Sequence, residues 1–180
     1  MTSPSPAIVW FRKDLRLADN PALHRAVESG APVIPVFILE DKSETIRAPG
    51  GAGRWWLHHS LDRLGKALGQ AGAPLVLRRG DAAEALDALI DETGAGSVYW
   101  SDSFDPATRA RDDKMRAALS GQGLTVESFN ATLLFYPSAI RSKAGTPFKV
   151  FTPFWRTLVI VLTVVGVLLT MNQVFFWNVG

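Results

Sequence analysis

Directly after the first apolar run of the chain, FRKDLRLADN sets Arg12, Lys13 and Arg16 among Asp14 and Asp19. Three cations so close together at the end of a strand could hold an anionic ligand. The acids among them offer another outcome, a self-neutralising set of ion pairs that fixes the loop, and exposed pairs of that kind contribute little individually. GGAG at 50–53 runs into a helical pattern, which suits either a phosphate at the helix N-terminus or a loop with freedom to move. His24, His58 and His59 are the three histidines. Neighbours on a helix point to different sides, whereas metal ligands must share a face, so His58 and His59 read as solvated surface and no metal is expected. Trp55 and Trp56 invite stacking on a planar ligand, and against that stands the packing of one ring into the core. RARDDK at 109–114 reads as a solvated helix face. No GxGxxG, GxxxxGK[ST] or GxSxG pattern follows any strand, so a dinucleotide fingerprint, a P-loop and a serine-hydrolase elbow are all lacking. From the chemistry alone, this is a binding module without a visible catalytic group.

These residues must be carried by an alternation of short apolar runs and helical patterns. AIVWF (7–11), PVIPVFIL (32–39), PLVLR (74–78), SVYW (97–100) and TVESF (125–129) are bounded by Gly, Pro, Asp or Asn, as buried strands are. After Gly53, Leu57, Leu61, Leu64 and Leu68 form one apolar stripe of a helix. Asp81 and Glu84 make a capping box ahead of Leu86, Leu89 and Ile90. Asn20-Pro21 and Asp105-Pro106 place a capping side chain before a proline at the first helical position, and Gly30, Gly72, Gly94 and Gly121 supply stops. Five strands alternating with helices imply an α/β fold with a doubly wound, five-stranded parallel sheet, Rossmann-like in its winding. Ligands of such sheets sit beyond the carboxyl ends of the strands, which directs attention to residues 12–20, 40–53, 79–81 and 101–106.

Composition sets the outer bounds. The chain has 180 residues, 47% hydrophobic and 20% charged, enough for one globular domain and a short appendage. With 19 basic and 17 acidic side chains the formal net charge is +2, too weak a field to argue nucleic-acid binding for the chain as a whole. The absence of cysteine removes disulfides, thiolate nucleophiles and cysteine zinc sites. MTSPSPAIVWFRKD lacks the features of a secretory signal, so residues 1–156 are expected to be cytoplasmic.

Four segments together carry a resemblance. IVWFRKDLRLADNPAL (8–23), GGAGRWWLHHSLDRL (50–64), VYWSDSFDPATRARD (98–112) and GTPFKVFTPFWR (145–156) resemble, in order and spacing, the N-terminal α/β domain of the DNA photolyase and cryptochrome family. The resemblance covers nearly all of residues 7–156. It implies a domain that houses or helps enclose a light-harvesting antenna, a folate, deazaflavin or flavin. It also implies that FAD, the electron-transfer tryptophans and the pocket for a flipped pyrimidine dimer belong to a helical domain that follows in the family. FAD is therefore not expected here, DNA becomes a partner only if that domain is supplied, and no catalytic residue can be named. Folate-binding members tend to carry Asn-Glu where Ala107 and Thr108 stand, which favours a deazaflavin or flavin. In deazaflavin-type members a basic residue at the position of Arg54, and polar groups matching Asp102 and Ser103, lie near the chromophore. Arg54, Asp102 and Ser103 are thus the candidate binding residues, with an exposed first-turn position as the plainer account of Arg54.

The similarity stops at Arg156. From Thr157 to Gly180 there is no Asp, Glu, Lys, Arg or His, and LVIVLTVVGVLLTM is followed by Asn172-Gln173 and VFFW. Residues 157–180 form a separate apolar tail. About twenty residues of helix reach roughly 30 Å, so 158–177 could be a marginal transmembrane anchor with Lys149 and Arg156 on its cytoplasmic flank. The alternatives are the product of a frameshift or insertion in a photolyase-like gene, leaving a truncated antenna domain inactive alone, or a segment that completes the core.

Overall fold

A computed structural model describes residues 4–40 and 50–177, the side chains of 165–177 excepted. The elements follow in the order β1 (Ala7–Phe11), α1 (Pro21–Glu28), β2 (Val33–Leu39), α2 (Gly51–Gln70), β3 (Val76–Arg79), α3 (Ala82–Thr93), β4 (Ser97–Ser101), α4 (Pro106–Gly121), β5 (Thr125–Phe129) and α5 (Phe151–Trp177). The strands form one sheet in the order β3-β2-β1-β4-β5, every pairing parallel. The α/β, five-stranded parallel expectation is therefore met, with strand ends shifted by a residue or two.

The central strand explains the layering. All five residues of β1 are buried, because its neighbours β2 and β4 lie on both sides and helices cover both faces. Side chains alternate across the sheet: Ile8 and Trp10 join Leu86, Leu89, Met115 and Leu119 from α3 and α4. Ala7, Val9 and Phe11 join Ala22, Ala26, Leu64 and Leu68 from α1 and α2. Each large apolar side chain taken fully out of water contributes about 1.5–3 kcal/mol. Trp10 and Trp100, both on the α3/α4 face, meet edge to face at 6.0 Å.

The N-caps at Asn20, Asp81 and Asp105 form as the sequence predicts, whereas Gly121, expected as a stop, is the last residue of α4 and Gly123 takes the left-handed position beyond it at φ 87°. Asp81 accepts from the N–H groups of Ala83 and Glu84, and Gly94 closes α3 at φ 65°. Asp105 accepts from the N–H of Thr108 at the start of α4. Asn20, buried, caps α1 by accepting from the Leu23 N–H at 3.1 Å while its amide donates to Asp14 at 3.2 Å. Two roles in one buried side chain put Asn20→Ala at the upper end of cap deletions, about 2 kcal/mol; urea unfolding of the variant measures it.

The chain divides into two units, one ending at Thr132 and one starting at Leu133. In the second unit Arg141 and Ser142 hold a tight turn, and Phe148 packs edge-on against Phe154 at 6.1 Å. The expected transmembrane anchor at 158–177 is not supported: among the described residues no helix is long and apolar enough to cross a membrane. The described side chains of α5 run only from Phe151 to Val164 and include Arg156 and three threonines, short of the roughly 20 apolar residues a span requires. The remainder of that stretch lies outside the described side chains.

Candidate functional site

In the order 3-2-1-4-5 the winding reverses between β1 and β4, and the loops leaving their carboxyl ends diverge there. A cleft of about 330 Å³ opens at that point, lined among others by Lys13, Asp102, Ser103 and Phe104. Its floor is a network of charges. Asp14, buried, accepts from the Arg12 N–H at 3.0 Å, from the Asn20 amide and from the Ser101 hydroxyl. Arg12 sends its guanidinium inward, 2.6 Å from Asp112 and 3.3 Å from the Ser101 carbonyl oxygen. Arg111 donates to the same Asp112 carboxylate at 2.8 Å and also pairs with Glu40. Both guanidinium groups lie over the Trp10 ring, at 4.5 Å for Arg12 and 5.4 Å for Arg111.

The loop does not neutralise itself as one of its two sequence readings expects: among the described residues only Arg16 and Asp19 pair within it, at 3.8 Å, while the partner of Arg12 comes from α4. The reading of RARDDK as a solvated face is corrected by the same contact. Asp112 is only 4% exposed and accepts from both Arg12 and Arg111. Arg16 binds the carbonyls of Asp19 and Ala131, at 2.9 and 2.7 Å.

Two carboxyls carry displaced acidities. Burial pushes Glu40 above its ordinary 4.5, against the pull of Arg111 and Arg12. The fold therefore favours its protonated form, so its contribution to stability is fully present below pH 4.5 and is lost as pH rises through its folded value. Glu40→Gln should accordingly leave the urea midpoint at neutral pH unchanged or raised; a lowered midpoint would contradict this assignment. Asp105 is held below its ordinary 3.8 by the Thr108 N–H first and the Thr108 hydroxyl second. Its help to the α4 cap is present above pH 3.8 and lost on acidification through the lower value.

Of the candidate binding residues, Asp102 and Ser103 line this cleft. The Asp102 carboxylate accepts from the Ser128 hydroxyl and stands 3.8 Å from Arg116. Ser103 is half-buried, and among the described residues its hydroxyl has no hydrogen-bond partner. Lys13 is exposed and likewise makes no ion pair. Arg54 is exposed in the first turn of α2, its backbone N–H donating to the Gly50 carbonyl at 2.9 Å, and among the described residues its side chain makes no hydrogen bond or ion pair. Of the loop expected at 40–53, residues 41–49 lie outside the described residues.

A second cavity, about 340 Å³, lies on α2 between Trp55, Trp56, His59, Ser60 and Arg63. Trp55 is 63% and Trp56 70% exposed, so neither ring packs into the core as one reading of the sequence expects. The His59 ring stands edge-on to Trp55 at 4.4 Å and to His58 at 5.2 Å. The signal is present in the leucine stripe: at 100° per residue, Trp55 falls about 200° from Leu57, on the far side of the helix. Trp56 falls only about 100° from Leu57, at the edge of the stripe, and is 70% exposed without that signal. Exposed indoles side by side, with an imidazole and a guanidinium on the next turns, make a platform for a flat conjugated molecule with a negative edge.

Comparison with known proteins gives a consistent result. The family model described as DNA photolyase matches residues 7–165. A deoxyribodipyrimidine photo-lyase of Agrobacterium fabrum is 52% identical over 154 residues, 86% of this chain and 32% of that protein. Cryptochrome-1 of Arabidopsis thaliana is 40% identical over 151 residues, 83% of this chain and 22% of its own length. The crystal structure of a bacterial class III photolyase from Agrobacterium tumefaciens superposes with a TM-score of 0.81 at 51% identity, covering 88% of this chain and 32% of that one. The chain therefore spans about a third or less of the length of these relatives.

Proposed function

The chain belongs to the DNA photolyase family, as its N-terminal α/β domain, and from that premise we infer that it is an antenna module which holds a planar light-absorbing chromophore on the Trp55–Trp56 face of α2. The observation that carries this reading is the exposure of both indoles beside His59 and Arg63. Two adjacent tryptophan rings left in water come at a cost, and a conjugated ring system stacked on them removes that cost while Arg63 meets an anionic group. The excitation so gathered serves a flavin that the family carries in its helical domain, where the light-driven repair of pyrimidine dimers is assigned; to this domain we assign no bond-breaking step. The chromophore is a flavin or deazaflavin, since Ala107 and Thr108 stand where folate-binding members tend to carry Asn-Glu.

A second reading places the chromophore at the switch-point cleft. It is favoured by Ser103 and Lys13, which point no hydrogen bond or ion pair at the protein itself. Equilibrium titration separates the two. Riboflavin, a deazaflavin and a reduced folate are each added to the purified chain while tryptophan fluorescence and chromophore fluorescence are followed. The α2 site predicts strong quenching of indole emission and binding that Ser103→Ala leaves untouched. Loss of binding in Ser103→Ala or Lys13→Ala, with Trp56→Ala unaffected, would move the site to the cleft.

A further inference from the structure

The acidic and basic side chains are unevenly shared along the chain. Residues 133–180 hold Arg141, Lys143, Lys149 and Arg156 and none of the 17 acidic side chains. Among the described residues none of these four makes an ion pair, unlike Arg12, Arg25, Arg78 and Arg111 of the first unit, each matched to a carboxylate.

The second unit holds Arg141 in place and places two more of the four beside it. The Arg141 guanidinium donates to the carbonyls of Ser138 and Gly145 at 3.1 and 3.0 Å. The Ser142 N–H donates to the Thr146 carbonyl at 2.9 Å, and the two hydroxyls meet at 3.0 Å. Gly145, at φ 73°, supplies the left-handed position that closes the turn, leaving Lys143 exposed at its tip. Phe148 against Phe154 ties the chain after the turn to the start of α5. Arg141, Lys143 and Arg156 thereby line one open groove of about 650 Å³ together with Phe148, Thr152 and Thr157. On the same turns of α5, Phe151 and Trp155 stack on each other at 6.0 Å and are both exposed.

We propose that this groove binds the phosphodiester backbone of a single nucleic-acid strand, without regard to base sequence or base damage. Three cations that the protein leaves without carboxylates converge on a groove with room for more than one phosphate. Exposed aromatic faces alongside accept bases of any identity, the combination that single-strand binding surfaces use. The convergence of the cations in a concavity, and not along a flat face, favours a strand over an anionic membrane.

The test is fluorescence anisotropy of a labelled, undamaged single strand with the full-length chain at low salt. Lys143→Gln with Arg156→Gln is expected to weaken binding at least tenfold and to flatten the dependence of log K on log salt by about 0.7 for each phosphate no longer neutralised. Lys114→Gln, which removes one exposed charge from α4, is the control and should bind as the unaltered chain does; far-UV circular dichroism verifies that α5 persists in the double variant. The proposal is overturned if the double variant binds like the unaltered chain, if Lys114→Gln weakens binding as much, or if phosphatidylserine vesicles are bound and the strand is not. Because the α2 tryptophans take no part, Trp56→Ala leaves strand binding intact, so failure here and failure of the antenna reading are separately visible.

Discussion

Asp112→Ala lowers the stability of the α/β unit by about 3–5 kcal/mol, the largest effect expected from any single polar substitution in this chain. The carboxylate sits between two guanidinium groups, 2.6 Å from Arg12 and 2.8 Å from Arg111, with its side chain 6% exposed. Removing it leaves two cations above the Trp10 ring with only Glu40 to answer them, and neither can reach water freely. Asp112→Asn keeps the shape and some hydrogen bonds but not the charge, and falls between the two. Lys66→Ala, which breaks an exposed pair with Asp62, leaves the unfolding midpoint where it was, since exposed pairs contribute little. Urea unfolding followed by circular dichroism measures all three; an Asp112→Ala midpoint equal to that of Lys66→Ala would show that the network is not a structural lock.

The second large effect is on binding and should leave the fold alone. Trp55→Ala with Trp56→Ala removes the stacking platform, and an aromatic face contributes about 1–3 kcal/mol per stacked ring, roughly fivefold to more than a hundredfold in affinity for each. Both rings are exposed, so their loss opens no cavity and the unfolding midpoint is unchanged. That separation makes the experiment clean. Trp100→Ala would destroy packing and binding together, because Trp100 is buried against Trp10.

What can be read in advance follows from the range of the interactions. The strands, the α3 capping box and the proline-led helices α1 and α4 are written locally: Asp81 with Glu84, Asn20 with Pro21, Asp105 with Pro106. Apolar periodicity places them within a residue or two. The partner of Arg12 lies one hundred positions along the chain, on a helix that also carries solvated charges such as Asp113 and Lys114, so nothing near either residue marks the pair. Asp112 and Asp113 are indistinguishable as letters, and only the rotation of α4 against the sheet buries one and exposes the other. The α2 site is partly legible. Its glycine-led start and its leucine stripe stand out in the sequence, and carrying the stripe around the helix to its opposite face exposes Trp55, whereas Trp56, about 100° from Leu57, is not placed by it. Arg54 and Ser103 come from a family likeness, and the structure places Ser103 in the switch-point cleft and Arg54 outside both cavities.

The most direct test of the antenna assignment is the absorption spectrum of the full-length chain, purified from cells in mild detergent and followed through a sizing column. A near-ultraviolet or blue band is expected to co-elute with the protein and to disappear in the Trp55→Ala, Trp56→Ala double variant while the elution volume stays the same. Its shape separates a flavin or deazaflavin from a folate. A protein that elutes colourless, and stays so after incubation with each chromophore class, would contradict the assignment.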